Sequence, residues 1–212
     1  MKISVAMAYY NGGMYIEEQM DTILTQLGEQ DEVIVSVDGA SDGSKSLLLK
    51  MAEEDKRIHV IKGPGKGVVK NFENAIRHCS GEIIYLSDQD DIWKSDKVKK
   101  VNEAFLNPKV KAVLHDARIV DECGNPTGAE GLFANRGSRK GILKNLVKNS
   151  YVGCCMAFRK ELIPVICPIP KEMYMHDYWI GTAAEYMGEV CFIKEPLIDY
   201  RRHSSNVTQM TH

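Results

Sequence analysis

The chain has 212 residues, 44% of them hydrophobic and 26% charged, with a formal net charge of −2. That length supports one substantial core, and the near-zero charge argues against a nucleic-acid binder, which carries a basic excess. No run of about 18 apolar residues exists to span a membrane. The six cysteines show no C-x-x-C spacing for zinc, so they read as reduced thiols of a cytoplasmic protein.

The apolar opening is too short for a signal peptide and predicts a strand over residues 3–8. Ile16, Met20, Ile23, Leu24 and Leu27 then fall on one helical face. Residues 32–37, rich in Val and Ile, predict a second strand, and residues 44–54 a second helix. A third strand over 58–61 runs into the glycine-rich segment 62–67, and Val69, Phe72 and Ile76 mark the next helix. Gly81 punctuates before the apolar run Ile83-Ile84-Tyr85-Leu86. Alternation of near-continuous apolar strands with helices predicts an α/β fold, with a mainly parallel sheet covered on both faces.

Ligands of such sheets bind beyond the carboxyl ends of the strands, and three polar motifs lie there. Tyr9-Tyr10-Asn11-Gly12 follows strand one, Asp38-Gly39-Ala40-Ser41-Asp42-Gly43 follows strand two, and Ser87-Asp88-Gln89-Asp90-Asp91 follows strand four. Three carboxylates within four residues repel one another unless a hard, oxygen-liking cation such as Mg²⁺ or Mn²⁺ sits among them, and such ions bridge to phosphates. The alternative is an acidic turn in which Asp88 caps a helix starting near Ser95.

Beyond Asn107 the texture changes. Residues 112–115 and 118–121 predict strands ahead of a turn at 122–126, and residues 127–140 predict a loop. Residues 140–148 predict a basic amphipathic helix with Lys140, Lys144 and Lys148 in register, either a solvated face or a contact with anionic lipid. A strand over 153–158, a helix over 177–186 and closing strands over 189–193 and 197–201 complete the chain.

The remaining motifs each carry two readings. Asp38 suits a contact to a base N–H, whereas Asp42 suits a helix cap. Residues 62–70 lack the Walker pattern, but their glycines permit a tight backbone at a helix N-terminus, with Lys66 and Lys70 offering charge to a diphosphate. Asp177 is an N-cap or a general base. His203 is a metal ligand or part of a solvated basic end, and the arginines of Tyr200-Arg201-Arg202-His203 suit phosphate.

These segments resemble a family 2 glycosyltransferase of the GT-A type. The likeness lies in the opening strand with its Tyr9-Tyr10-Asn11-Gly12 turn, the helix from Glu17 to Gln26, the Asp38–Ser44 loop and the Asp88-Gln89-Asp90 D-x-D motif. It is nearest to small bacterial rhamnosyltransferase-like members, in which His-Asp-Tyr-Trp and Tyr-Arg-x-His segments also occur. The resemblance implies a Rossmann-like sheet flanked by helices in a single domain over 1–212. Residues 1–106 would bind a nucleotide sugar, and a smaller part, 107–212, would bind the acceptor.

It further implies inverting transfer of one sugar, of dTDP-rhamnose or UDP-hexose type, to a glycan or lipid-linked hydroxyl in surface polysaccharide synthesis. Asp177 would be the base. Tyr9, Asn11, Asp38, Asp42, Lys70, Asn71, Asp88 and Asp91 would meet the donor, and Asp88, Asp90 and His203 would meet Mn²⁺ or Mg²⁺. The protein would be cytoplasmic, without nucleic-acid partners or a transmembrane segment, and in peripheral contact with the membrane at most. His176 stands where many members carry Glu, and the Q-x-x-R-W motif of processive synthases is absent. A non-catalytic nucleotide-sugar-binding module of the same fold is the alternative. A nucleotidyltransferase would want a glycine- and arginine-rich loop after strand one, which Tyr9 to Met14 does not supply.

Overall fold

The computed structural model describes residues 1–138, 141, 145, 149–204 and 206. Most of the predicted basic helix over 140–148, its three lysines included, lies outside them. Eight strands form one sheet: β1 (Ile3–Tyr9), β2 (Glu32–Val37), β3 (Ile58–Lys62), β4 (Ile83–Ser87), β5 (Ile92–Trp93), β6 (Val110–Val120), β7 (Met156–Arg159) and β8 (Glu189–Arg201). Their spatial order is β3-β2-β1-β4-β7-β6-β8-β5. The described helices are α1 (Ile16–Leu24), α2 (Ser44–Glu54), α3 (Val68–His78), α4 (Lys97–Ala104), α5 (Leu132–Arg136), α6 (Ile163–Ile166) and α7 (His176–Met187).

The first four strands pair in parallel. β7 runs antiparallel to both β4 and β6, and β8 returns parallel to β6. Period-2 alternation distributes the apolar side chains to two cores. Val5, Met7, Val33, Val35 and Tyr85 pack on one face with Ile16, Met20 and Ile23 of α1 and Leu48 of α2. Ala6, Ile34, Ile84 and Leu86 pack on the other with Phe72 and Ile76 of α3 and Ile180 of α7. Both faces are therefore dry, which is why these strands read as unbroken apolar runs. Burying Phe72 and Ile76 contributes about 1.5–3 kcal/mol each and fixes α3 against β1 and β2.

Several elements differ from expectation. Residues 112–120 form part of one eleven-residue strand rather than two, with Asp121 beyond its end, and 189–201 form one thirteen-residue strand. Irregular register at His115, Asp116 and Ala117 lets β6 and β8 continue past polar residues that imitate turns. Residues 153–155 form a short 3-10 turn, with the Cys155 N–H donating to the Val152 carbonyl at 3.2 Å, so the strand begins only at Met156. β5 separates the acidic turn from α4, so Asp88 caps no helix.

Candidate active site

The carboxyl ends of β1, β2 and β4 open onto a cavity of about 820 Å³, closed on the other side by residues around Gly153, the start of α7 and the chain after β8. Sequence positions far apart thus converge: Tyr9 and Asn11, Asp38, Asn71, Asp88 and Asp90, Asp177 and His203 all line it.

The acidic turn is held from several sides. Gln89 clasps Tyr10, accepting from its N–H at 2.7 Å and donating to its carbonyl at 2.8 Å. Buried Gln19 of α1 donates to Ser87 Oγ and the Asp88 carbonyl at 2.8 and 3.0 Å. Arg201 donates to the carbonyls of Asp90 and Glu122 and to Glu18, at 2.9, 2.8 and 2.6 Å. Its guanidinium is a clamp on the turn rather than a phosphate arm, which corrects the expectation for this residue.

Within the turn, His203 Nε2 lies 2.8 Å from Asp90 Oδ2, and its ring stacks on Tyr15 at 5.1 Å. Asp91 is buried behind the cavity wall. One oxygen accepts from the Arg201 N–H at 3.2 Å, and Oδ2 has no hydrogen-bond partner among the described residues. Asp88, Asp91 and Cys154 bring one potential ligand atom each within 4.8 Å of one another. Burial, reinforced by the charges of Asp90 and Asp177, raises the Asp88 carboxyl to about 7. Burial with the charges of Asp90 and Asp88 likewise raises the Asp91 carboxyl well above its ordinary value. Lys97, fully buried over the Trp93 ring at 3.7 Å, is the cation beneath the cluster. Its Nζ donates to the Cys154 carbonyl at 3.2 Å, and burial lowers its pKa to about 8.

Carboxylates crowded at such cost, one with an unpartnered buried oxygen, fit a hard divalent cation. A hard cation takes oxygen and imidazole donors over the Cys154 thiol that stands beside them, so the carboxylates and the His203 imidazole are its donors. Asp88, Asp90 and His203 would hold Mn²⁺ or Mg²⁺, with Asp91 behind them.

Asp38 meets the glycine-rich segment. Its two oxygens accept from the N–H groups of Gly65 and, at 3.1 Å, Gly67. Positive φ at Gly65 (66°) and Gly67 (83°) turns the backbone to reach it. The anion received by this loop is therefore Asp38, not a diphosphate. Asn11, itself at φ 48°, exchanges hydrogen bonds with Ser41 and ties the β1 turn to the β2 loop.

Besides Asp91, two expected residues do not reach the cavity. Asp42 accepts from the Ser44 N–H and the Gly13 N–H, each at 3.1 Å; it precedes Gly43, the N-cap of α2, so it ties the β1 turn to the start of that helix without being its cap. Lys70 pairs with Glu73 at 2.7 Å and donates to the Ile169 carbonyl at 2.6 Å, tying α3 to a distant loop.

Asp177 stands in the first turn of α7, whose N-cap is Met175, so it is not the cap. Its Oδ1 accepts from the Tyr178 N–H at 2.6 Å and from Asn149 Nδ2 at 3.3 Å. Burial raises it to about 6. Gln89 of the D-x-D turn lines the cavity too, as do Arg136, Gly153 and Cys154, which no local motif marks.

A sheet-edge cavity that joins a D-x-D turn to a buried carboxylate on a late helix defines a GT-A glycosyltransferase fold. The model of glycosyl transferase family 2 matches residues 4–166, and the chain belongs to that family. It is similar to the dTDP-rhamnosyl transferase RfbG of Shigella flexneri, 26% identical over 227 residues that cover 94% of this chain and 72% of the relative. Two other curated relatives are spanned by the chain over 66% and 50% of their lengths. Among solved structures, Staphylococcus aureus TarS 1–349 in complex with UDP-GlcNAc superposes with a TM-score of 0.76 at 17% identity, over 97% of this chain and 60% of that one. The mannosyltransferase PcManGT of Pyrobaculum calidifontis, in complex with GDP-Man and Mn²⁺, gives 0.69 at 23% identity, over 92% and 55%. These likenesses show the fold. No described helix is long and apolar enough to cross a membrane.

Proposed function

We propose that this chain is an inverting, single-sugar glycosyltransferase. It would move a hexosyl or rhamnosyl group from a nucleotide diphosphate to a hydroxyl of a glycan or lipid-linked acceptor in bacterial surface polysaccharide synthesis, at the cytoplasmic side of the membrane. The observation that carries this reading is that Asp88, Asp90 and Asp177, from two ends of the chain, line one cavity.

Asp177 is the general base. A carboxylate raised to about 6 is ionised at neutral pH yet basic enough to accept the acceptor's proton, and its two hydrogen bonds fix its orientation. A divalent cation, when bound at Asp88, Asp90 and His203, neutralises charge on the departing diphosphate. Tyr9, Asn11 and Asn71 shape the donor wall at the end of β1, and Asp38 stands at the end that would take the base. Asp91 and Lys97 support the acidic turn from behind. The rest of the acceleration comes from holding donor and acceptor in reacting geometry. RfbG supports a dTDP-sugar donor, the TarS complex a UDP-sugar and the PcManGT complex a Mn²⁺-bound one.

Asp177→Asn tests the assignment. Transfer should fall by about 10²–10⁴-fold, while donor affinity by calorimetry stays within about twofold. Undiminished transfer would remove Asp177 from the role.

A further inference from the structure

Two buried polar side chains that line the cavity carry atoms without hydrogen-bond partners among the described residues. His176, 4% exposed, opens α7 and stacks on Phe72 with ring centroids 4.0 Å apart. Neither of its ring nitrogens has a hydrogen-bond partner among the described residues. Asn71, 2% exposed and next to Phe72 on α3, donates Nδ2 to the Tyr9 carbonyl at 3.3 Å and leaves Oδ1 without a donor. Both residues line the cavity, as does Gly153. A Cβ at Gly153 would stand 2.7 Å from His176 Nε2, so only a glycine there lets the imidazole take this position. An unpartnered buried donor or acceptor destabilises the fold, and here three such atoms belong to residues that line one cavity. A ligand that hydrogen-bonds all three removes that cost.

We infer that His176 and Asn71 form a hydroxyl-recognition subsite for the sugar ring of the donor. The imidazole gives one N–H and one lone pair, and Asn71 gives its amide oxygen. This rests on the glycosyltransferase reading above and names which part of the donor these residues take. Phosphate suits it poorly. Burial pushes the imidazole pKa down to about 3, so His176 stays neutral and brings no charge, and Asn71 Oδ1 would face phosphate oxygens acceptor to acceptor. A nucleobase cannot stack on the imidazole face that Phe72 already covers. A hydroxyl both donates and accepts, so neighbouring ring hydroxyls satisfy all three atoms. Asp177, the next residue after His176, puts the subsite at the reacting end of the cavity.

The test is calorimetry with UDP, GDP and dTDP against UDP-glucose, UDP-GlcNAc, GDP-mannose and dTDP-rhamnose, in Mn²⁺. The quantity read is the gain in affinity that the sugar adds over the matching nucleotide diphosphate. His176→Phe keeps an aromatic ring on Phe72 and removes both nitrogens. It should cut the sugar's gain about tenfold and leave the nucleotide diphosphate within about twofold. Asn71→Ala, which removes the amide oxygen of the subsite, should act in the same direction and carries the test if His176→Phe fails to fold. An unchanged sugar gain, or an equal loss for nucleotide diphosphate and nucleotide sugar, overturns the subsite and leaves the enzyme reading intact. A wild-type protein that binds none of these nucleotides overturns both.

Discussion

Asp177 shows how one residue's environment sets both a rate and a cost. Its burial places the carboxyl near 6 instead of the ordinary 3.8. Above pH 6 it is charged and able to take a proton, and below it is not, so kcat/KM should fall about tenfold per unit as pH drops below 6. A limb near pH 4 in the same profile would mean that a solvated carboxylate governs the reaction. The shift has a stability counterpart. A raised carboxyl pKa disfavours the folded state once the group ionises, by an amount that grows as pH rises from about 4 to 6 and reaches on the order of 3 kcal/mol at pH 7. Asp177→Asn should therefore melt higher than the wild type at pH 7 while losing transfer, and a lower melting temperature would contradict this account. The reading of Asp177 as a base came only from the family resemblance, because cap and base share residue type and position. The orphaned nitrogens of His176 left no sequence signal, since burial and partnering are properties of the packed chain.

At the scale of elements, the parallel half was readable because its strands are short, apolar and separated by helices of matching period. The mixed half was not. In β6 the pair Asp116-Ala117, and in β8 the run Lys194-Glu195-Pro196, interrupt apolar alternation as turns do. The irregular register between the two strands absorbs the interruption, and that pairing is set in space. The glycine-rich segment misled for a related reason. Its N–H groups do converge on an anion, but Asp38 supplies it. Gly63 fixes that arrangement, because a Cβ there would lie 2.7 Å from the Asp38 backbone. Gly63→Ala should force β2 and β3 apart at their ends, destabilise the protein by about 1–3 kcal/mol and weaken donor binding through displaced Asp38. Denaturant unfolding and calorimetry check the two effects, and a variant as stable as the wild type would show that the strand ends give way easily.

For the whole molecule, one sheet collects chemistry from two ends of the chain: β1, β2 and β4 bring the donor-side groups, and β8 and α7 bring His203 and Asp177. Arg201, joining Asp90, Glu122 and Glu18, fastens those halves together. The central claim is that this junction binds a nucleotide sugar through a divalent cation. The most direct measurement is thermal denaturation with each nucleotide sugar, with Mn²⁺ and with EDTA, for the wild type and Asp90→Ala. At a ligand concentration of 100 Kd, binding adds about 2.7 kcal/mol, or a rise of roughly 5–11 °C for a chain of this size. The account predicts that rise for the wild type with one class of donor and Mn²⁺, and its loss in EDTA or in Asp90→Ala. A rise that EDTA leaves untouched, or no rise with any nucleotide sugar, would contradict it.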